Sequence, residues 1–381
     1  MSFEFKRRDI VLKELVQGDH LSLSVFDFLS AKPGPHVYLQ ASVHGAEVQG
    51  NLVIWELMKY FSEHPFAGML TFVPMCNPSA MNQKSGTSTL GRFHPVTGDN
   101  WNRVFENLVF DYDGFAQRHL QISWDDIKIQ FKKEFISALK IRHSDLSKRG
   151  ISEQKNWALT LQAEAMQADI ILDLHTGPLS TSYIYTNETL LSKALDFNFS
   201  HYISIPSEFA GAMDEACFVP WFKLKTALQK LNRKFSDDRD KDVEVYTLEL
   251  GSEDVINSER SKRYALSILH YLKIRGVVMG ELPGQVVPSK RYKCLLENYR
   301  CYHAPFGGLV EYLKSPGEIV FKDEVLASFL NFKNVQGPHD LDQAQRNFKS
   351  PQDALIINRC PSANVSEGME LFFVMEKFEQ I

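Results

Sequence analysis

Four side chains in this sequence have the types and spacing to bind a metal ion and work a water molecule. His44 and Glu47 stand three apart in Ala41-Ser42-Val43-His44-Gly45-Ala46-Glu47. His175 follows Asp173-Leu174, and Glu249 lies in Leu248-Glu249-Leu250-Gly251. Zinc commonly takes three protein ligands of the His/Glu type and leaves one position for water. His44, Glu47 and His175 make such a set. A bound zinc polarises a carbonyl and lowers the pKa of water toward neutrality. Glu249 is then the candidate carboxylate to take the water's proton and pass it to a leaving nitrogen. Asp173 is placed to orient an imidazole from behind, as ligating histidines usually require. Taken singly each residue is weak evidence, since His-x-x-Glu arises by chance and a lone His at a strand end is usually structural. The weight comes from all of them falling at strand termini.

The elements that must position these residues read as an α/β pattern. His36 to Val43 alternates Val37, Leu39, Ala41 and Val43 on one face after a Pro-Gly-Pro turn. From Glu47 the period becomes helical through Val48, Leu52, Trp55, Leu57, Met58 and Phe61. A helix beginning near Glu47 would put positions i and i+3 on one side of its first turn. Met69 to Met75 is a second apolar strand, and strand–helix–strand order indicates parallel pairing. Residues 77–103 form a long polar loop, the kind usually reserved for function. Residues 105–156 read as a helical insertion in which Ser123 caps a helix carrying Ile127, Phe131, Phe135, Ala138 and Leu139 on one face. Its basic residues, Lys128, Lys132, Lys133, Lys140 and Arg142, read as a solvated face. Ala168 to Leu174 is a central strand with His175 just past its end, and further strands fall at 183–186, 202–205 and 243–250. Helices are expected at 157–167, 219–233 and 257–275, and the charged run 236–242 as a solvated loop. In open α/β sheets, ligands gather beyond the carboxyl ends of the strands.

Glu281-Leu282-Pro283-Gly284 marks the best boundary, giving a catalytic domain at 1–283 and a β-rich domain at 284–381. The latter contains a repeat at an offset of 45 residues: Val310, Pro316, Val320, Leu326 and Phe329 recur as Leu355, Pro361, Val365, Leu371 and Val374. Two such units face to face make a small barrel or sandwich. The 381 residues exceed what one core usually holds. A net charge of −5 points away from nucleic acid, and no stretch is apolar enough to span a bilayer. Five cysteines, odd in number and without CxxC spacing, fit a reduced cytoplasmic protein.

The motif series resembles a known family. His44-Gly45-Ala46-Glu47, Asn77-Pro78, Asn102-Arg103, Asp173-Leu174-His175-Thr176-Gly177 and Glu249-Leu250-Gly251 look, in this order, like the succinylglutamate desuccinylase/aspartoacylase family, a branch of the zinc carboxypeptidase-like hydrolases. The resemblance implies a mixed sheet flanked by helices, with a small all-β C-terminal domain. It implies one zinc ion on His44, Glu47 and His175, with Glu249 as general base. It further implies Asn102-Arg103 as a clamp for a substrate carboxylate, which suits the planar fork of Arg. Arg92 is the nearest candidate for the family's carbonyl-polarising arginine. Asn100 stands where some relatives carry Asp. The implied reaction is hydrolysis of an amide in a small N-acylated amino acid or related compound bearing a carboxylate. Two other readings stand beside it: a metallocarboxypeptidase acting on a peptide C-terminus, and a non-catalytic metal- or ligand-binding protein. The insertion suggests a lid or pocket wall, and the β domain's edges leave room for a homo-oligomer.

Overall fold

Two long strands, β1 (Phe3–Glu14) and β2 (His20–Ser30), open the chain as an antiparallel ribbon in the computed structural model. The structure describes residues 3–235, 242–284 and 290–381. β1 ends its sheet and carries Lys6, Arg7, Arg8, Asp9 and Lys13. Charges of this kind discourage pairing at an edge. The chain then runs through β3 (His36–Ala41), α1 (Gln49–Glu63) and β4 (Met69–Val73), with β3 and β4 parallel. α1 buries Val53, Ile54, Leu57 and Phe61, whereas Trp55, expected on the apolar face, is 62% exposed. Gly50 lets α1 lie close on the sheet, because a Cβ there would come within 2.8 Å of Leu174 Cβ and 3.0 Å of Ala41 Cβ.

The expected loop at 77–103 is more ordered than its composition suggests. It holds a short helix, Pro78–Met81, a two-residue hairpin of Lys84–Ser85 with Ser88–Thr89, and a 3-10 turn, Trp101–Arg103. The helical insertion follows as α2 (Tyr112–His119), α3 (Trp124–Ser147) and α4 (Glu153–Ala165). Ser123 caps α3 by accepting from Asp126 N, and Trp124, Ile127, Phe131, Phe135 and Leu139 are buried. Each such side chain contributes roughly 1.5–3 kcal/mol of burial, so α3 is a fixed part of the core. The basic face of α3 is not simply solvated. Lys132 Nζ lies 2.6 Å from Asp169 Oδ1, and Arg142 Nε lies 3.0 Å from Glu106 Oε1. Long side chains lay their stems along apolar surface and still reach such partners.

β5 (Ile170–Gly177), α5 (Met213–Lys230), β6 (Glu244–Ser252) and α6 (Ser258–Ile274) complete the α/β part. β5 extends two residues beyond His175, so this histidine sits within the strand rather than past its end. Two compact units emerge: Met1–His175, Ser207–Thr247 and Ile256–Gln285 form the first, and Thr176–Pro206, Leu248–Val255 and Val286–Ile381 the second. The first holds β1 to β4 and the opening parts of β5 (to His175) and β6 (to Thr247), in the order β1-β2-β4-β3-β5-β6. Of the charged run 236–242, only Asp242 is among the described residues, and it pairs with Lys225.

In the second unit, Ser182–Asn187, His201–Ile205 and Tyr292–Leu295 run parallel, with Glu379–Gln380 antiparallel at the end. Two further sheets come from the 45-residue repeat. Gly308–Tyr312, Ile319–Val320 and Val325–Leu330 are matched by Ala354–Arg359, Asn364–Val365 and Glu370–Glu376. The halves exchange partners: Gly308–Tyr312 pairs with Asn364–Val365, and Ile319–Val320 pairs with Ala354–Arg359. Shifting either pairing by the repeat produces the other, as a local two-fold demands. Val310, Val320, Leu326, Phe329, Ile356, Val365, Leu371 and Val374 fill the core between them. The expected all-β C-terminal fold is therefore present as two small packed sheets.

Candidate metal centre

β3 ends at Ala41, and Ser42 turns the backbone sharply at φ +67. That conformation is strained for a side chain with a Cβ. It is held by the Ser42 hydroxyl, which donates to Asn51 Oδ1 at 2.8 Å. The chain then makes a turn in which Glu47 N donates to His44 O at 3.2 Å. α1 begins only at Gln49. His44 and Glu47 thus face one another across a turn, not along the first turn of a helix as the spacing suggested. Gly45 is required there, since a Cβ would lie 2.2 Å from Ala80 O. Asn77 fixes that obstacle: its Oδ1 accepts from Ala80 N at 3.0 Å and its Nδ2 donates to Val43 O at 2.9 Å. The Asn77-Pro78 motif is a brace for the histidine turn.

His175 arrives from β5. His44 Nδ1 lies 2.8 Å from Glu47 Oε1, and His175 Nδ1 lies 2.7 Å from Glu47 Oε2. These three side chains are 5%, 1% and 3% exposed for His44, Glu47 and His175, and one donor atom from each lies within 4.8 Å of the others. The far nitrogen of each ring is also held. His175 Nε2 is 2.9 Å from Asp173 Oδ2, and His44 Nε2 is 2.8 Å from Asn100 Oδ1. A carboxylate only accepts, and Asn100 Oδ1 also accepts from Asn102 N at 2.8 Å. Both Nε2 atoms therefore donate, while both Nδ1 atoms face the Glu47 carboxylate. Asp173 is fixed in turn by Gln40 Nε2 at 3.0 Å, its register neighbour on β3, and Gln40 by the Tyr38 hydroxyl at 2.8 Å.

Electrostatics agree with this geometry. Burial works to raise the Glu47 carboxyl, but the charges of His44 and His175 outweigh it and hold the group well below the usual carboxylate range. Burial works to lower His175, and Asp173 and Glu47 overcome it and hold the imidazole well above its ordinary value. Two imidazole nitrogens and a carboxylate oxygen, each backed by an acceptor or cation, make a donor set that could hold a divalent metal ion. Such an ion would replace the protons that now lie between these groups.

The other expected site residues divide. Arg92 reaches the centre, with Nη2 2.9 Å from Glu47 Oε1. Asn102 is 9% exposed and its Oδ1 accepts from Met213 N at 3.0 Å, which ties it to the start of α5. Arg103 is exposed and its Nη1 donates to Asn102 O at 2.6 Å. Glu249 lies on β6 in the second unit, 9% exposed. There its charge adds to burial in pushing the Tyr183 phenol well above its ordinary value. Sequence reasoning missed Asn100, Gln40 and Tyr38 as supports of the histidines. Only the i+2 step to Asp173 carried a readable signal.

The comparisons with known proteins bear on this centre. The model of the succinylglutamate desuccinylase/aspartoacylase catalytic domain matches residues 33–121. A crystal structure of a succinylglutamate desuccinylase/aspartoacylase family protein from Shewanella amazonensis is 38% identical, with TM-score 0.90 over 99% of this chain and 100% of that one. The chain belongs to the succinylglutamate desuccinylase/aspartoacylase family. A second structure from that family, from Shewanella frigidimarina, is 35% identical with TM-score 0.91, covering 100% of this chain and 99% of its own. The product-bound ectoine utilization protein of Ruegeria pomeroyi, 14% identical with TM-score 0.65 over 98% of this chain and 94% of that one, shares the fold. No curated protein matches the chain by sequence. The family comprises hydrolases of N-acyl amino acids, and the buried His44–Glu47–His175 centre falls among the motifs that define the resemblance. Among the described residues, no helix is long and apolar enough to cross a membrane.

Proposed function

We propose that this family member is a zinc-dependent hydrolase that cleaves the amide bond of a small N-acylated amino acid or related compound. The reading is carried by the opposed Nδ1 atoms of His44 and His175 on the Glu47 carboxylate, with both rings anchored at Nε2. His44, Glu47 and His175 would hold the ion. A zinc there supplies an electrophile for the scissile carbonyl and makes water acidic enough to ionise near neutral pH. Glu249 is the proposed base: it accepts the water's proton and delivers it to the departing nitrogen. Its position on β6, 9% exposed, supports that role, because a carboxylate shielded from solvent competes little with bulk water for the proton it takes. Arg92, already directed at the centre, is proposed to stabilise negative charge developing on the carbonyl oxygen. Arg103, exposed and seated on the Asn102 carbonyl, is proposed to receive the substrate carboxylate, with Asn102 setting its position.

The test is zinc analysis of the purified protein followed by kinetics on a panel of N-acyl amino acids and short peptides. Native protein is expected to hold zinc at the His44–Glu47–His175 centre, at least one ion per chain, and Glu249→Gln to keep that metal while losing at least a hundredfold in kcat. A protein that binds no zinc with its three ligands intact would end this reading. Release of C-terminal residues from peptides would instead select the carboxypeptidase reading.

A further inference from the structure

We propose that Cys301, His303 and Glu370 form a second metal site, for a zinc-class divalent ion, on the outer face of the C-terminal β unit.

The strand Tyr299–His303 places Cys301 and His303 two residues apart, so both project to the same side. Tyr302 between them is 8% exposed and points into one core of that unit, which puts Cys301, half-buried, and His303, exposed, on the opposite face. Glu370 opens the neighbouring strand, Glu370–Glu376, and is the register partner of His303. It reaches that position through an irregularity: Tyr302 pairs with Phe372 and His303 with Glu370, so Leu371 is an extra residue in the ladder. Leu371 and Phe372 are both buried in succession, at 1% and 0% exposure, where simple alternation would turn one outward. A bulge of this kind re-aims the next side chain, and here it brings the Glu370 carboxylate to the two strand-borne donors.

One donor atom from each residue lies within 4.8 Å of the others. Ligands of a tetrahedral zinc, each about 2.0–2.3 Å from the ion, sit about 3.5 Å apart. His303 and Glu370 are both exposed, so their side chains have room to turn toward a shared ion. Among the described residues, neither of these two side chains is engaged in a hydrogen bond or ion pair. A sulfur, an imidazole nitrogen and one carboxylate oxygen favour zinc, cobalt or nickel over calcium or magnesium, which select oxygen donors. Binding is coupled to proton release: the thiol gives its proton to solvent as the sulfur–metal bond forms. Because a proton leaves as the metal binds, affinity must rise with pH. Because Tyr299–His303 is the edge strand of its sheet, a bound ion would clasp that edge to its neighbour.

The thiolate distinguishes this site from the His44–Glu47–His175 centre, which contains no sulfur. Reduced full-length protein titrated with Co2+ alone is expected to develop the near-ultraviolet absorption of a cobalt–thiolate bond, at one equivalent of such sites per chain. Cys301→Ser is expected to abolish the band, and Cys360→Ser to retain it. His303→Ala and Glu370→Gln, at exposed positions, are each expected to weaken it at least tenfold. His44→Ala is expected to leave it in place. The proposal is overturned if reduced native protein gives no such band at pH 8, or if the band survives in Cys301→Ser. Unchanged Co2+ affinity in both His303→Ala and Glu370→Gln overturns it as well, and those variants decide the matter should Cys301→Ser fail to fold.

Discussion

Asp173 Oδ2 meets His175 Nε2 at 2.9 Å from two residues away on the same strand, while the opposite nitrogen of that ring meets Glu47 at 2.7 Å. The two-residue step of a β-strand is what makes this possible, because it sets both side chains on one face. Asp173→Ala is expected to lower zinc affinity 10–100-fold, the usual effect of losing a carboxylate behind a ligating histidine. Competition with a chromogenic chelator measures it. Wild-type affinity in the variant would show that Asp173 has no part in holding the ring.

His44 has an uncharged counterpart in Asn100, at 2.8 Å from Nε2. Asn100→Ala removes an acceptor used by both His44 and the Asn102 amide, whereas Asn100→Asp keeps an acceptor and adds charge. Zinc affinity is expected to rank Asp at or above Asn, with Ala at least tenfold below. Equal affinity for all three side chains would contradict the assigned role.

Gly45 leaves no room for a methyl group. Since a Cβ would stand 2.2 Å from Ala80 O, a backbone atom, the turn or the Pro78–Met81 helix has to shift. Gly45→Ala is expected to destabilise the protein by about 1–3 kcal/mol and to weaken zinc binding in the same variant. Thermal melts with and without metal separate the two effects. An unchanged melting temperature would refute the packing account.

Asp214, at the start of α5, is buried, accepts from the Thr247 hydroxyl at 2.9 Å and is raised to about 6, by burial first and then by Glu215. A carboxyl raised on folding adds stability that is fully present below its unfolded pKa, near 4, and is lost as pH climbs through about 6. The loss is about 3 kcal/mol at 1.36 kcal/mol per pKa unit. Asp214→Asn cannot ionise, so its stability relative to native protein is expected to rise between pH 4 and 6 and level off above 7. Denaturant titrations across that range measure the difference. A gap that does not change with pH would show that Asp214 titrates alike in folded and unfolded chains.

Much of this fold is legible in the sequence. Periodicity located β3, α1, β5 and α6 to within a few residues, because burial on one face imposes periods of about 2 and 3.6. The 45-residue repeat anticipated the paired halves of the C-terminal unit, since equivalent apolar positions must fill equivalent sites in a shared core. The grouping of His44, Glu47 and His175 was legible from residue type and from the order of the motif series, although His175 lies within β5 and not at its end.

What the chain order could not reveal was contact between residues remote along it. The extent of β5 past His175, the turn rather than helix between His44 and Glu47, and the Lys132–Asp169 pair all depend on which segments become neighbours. Asn100 behind His44, Gln40 behind Asp173 and the bulge that turns Glu370 toward Cys301 and His303 have no periodic signature either. Local sequence sets which faces are apolar and which residues can donate or accept. The tertiary fold decides which donor meets which acceptor, because a hydrogen bond or a metal ligand is satisfied by geometry within an ångström, and only packing fixes geometry that finely.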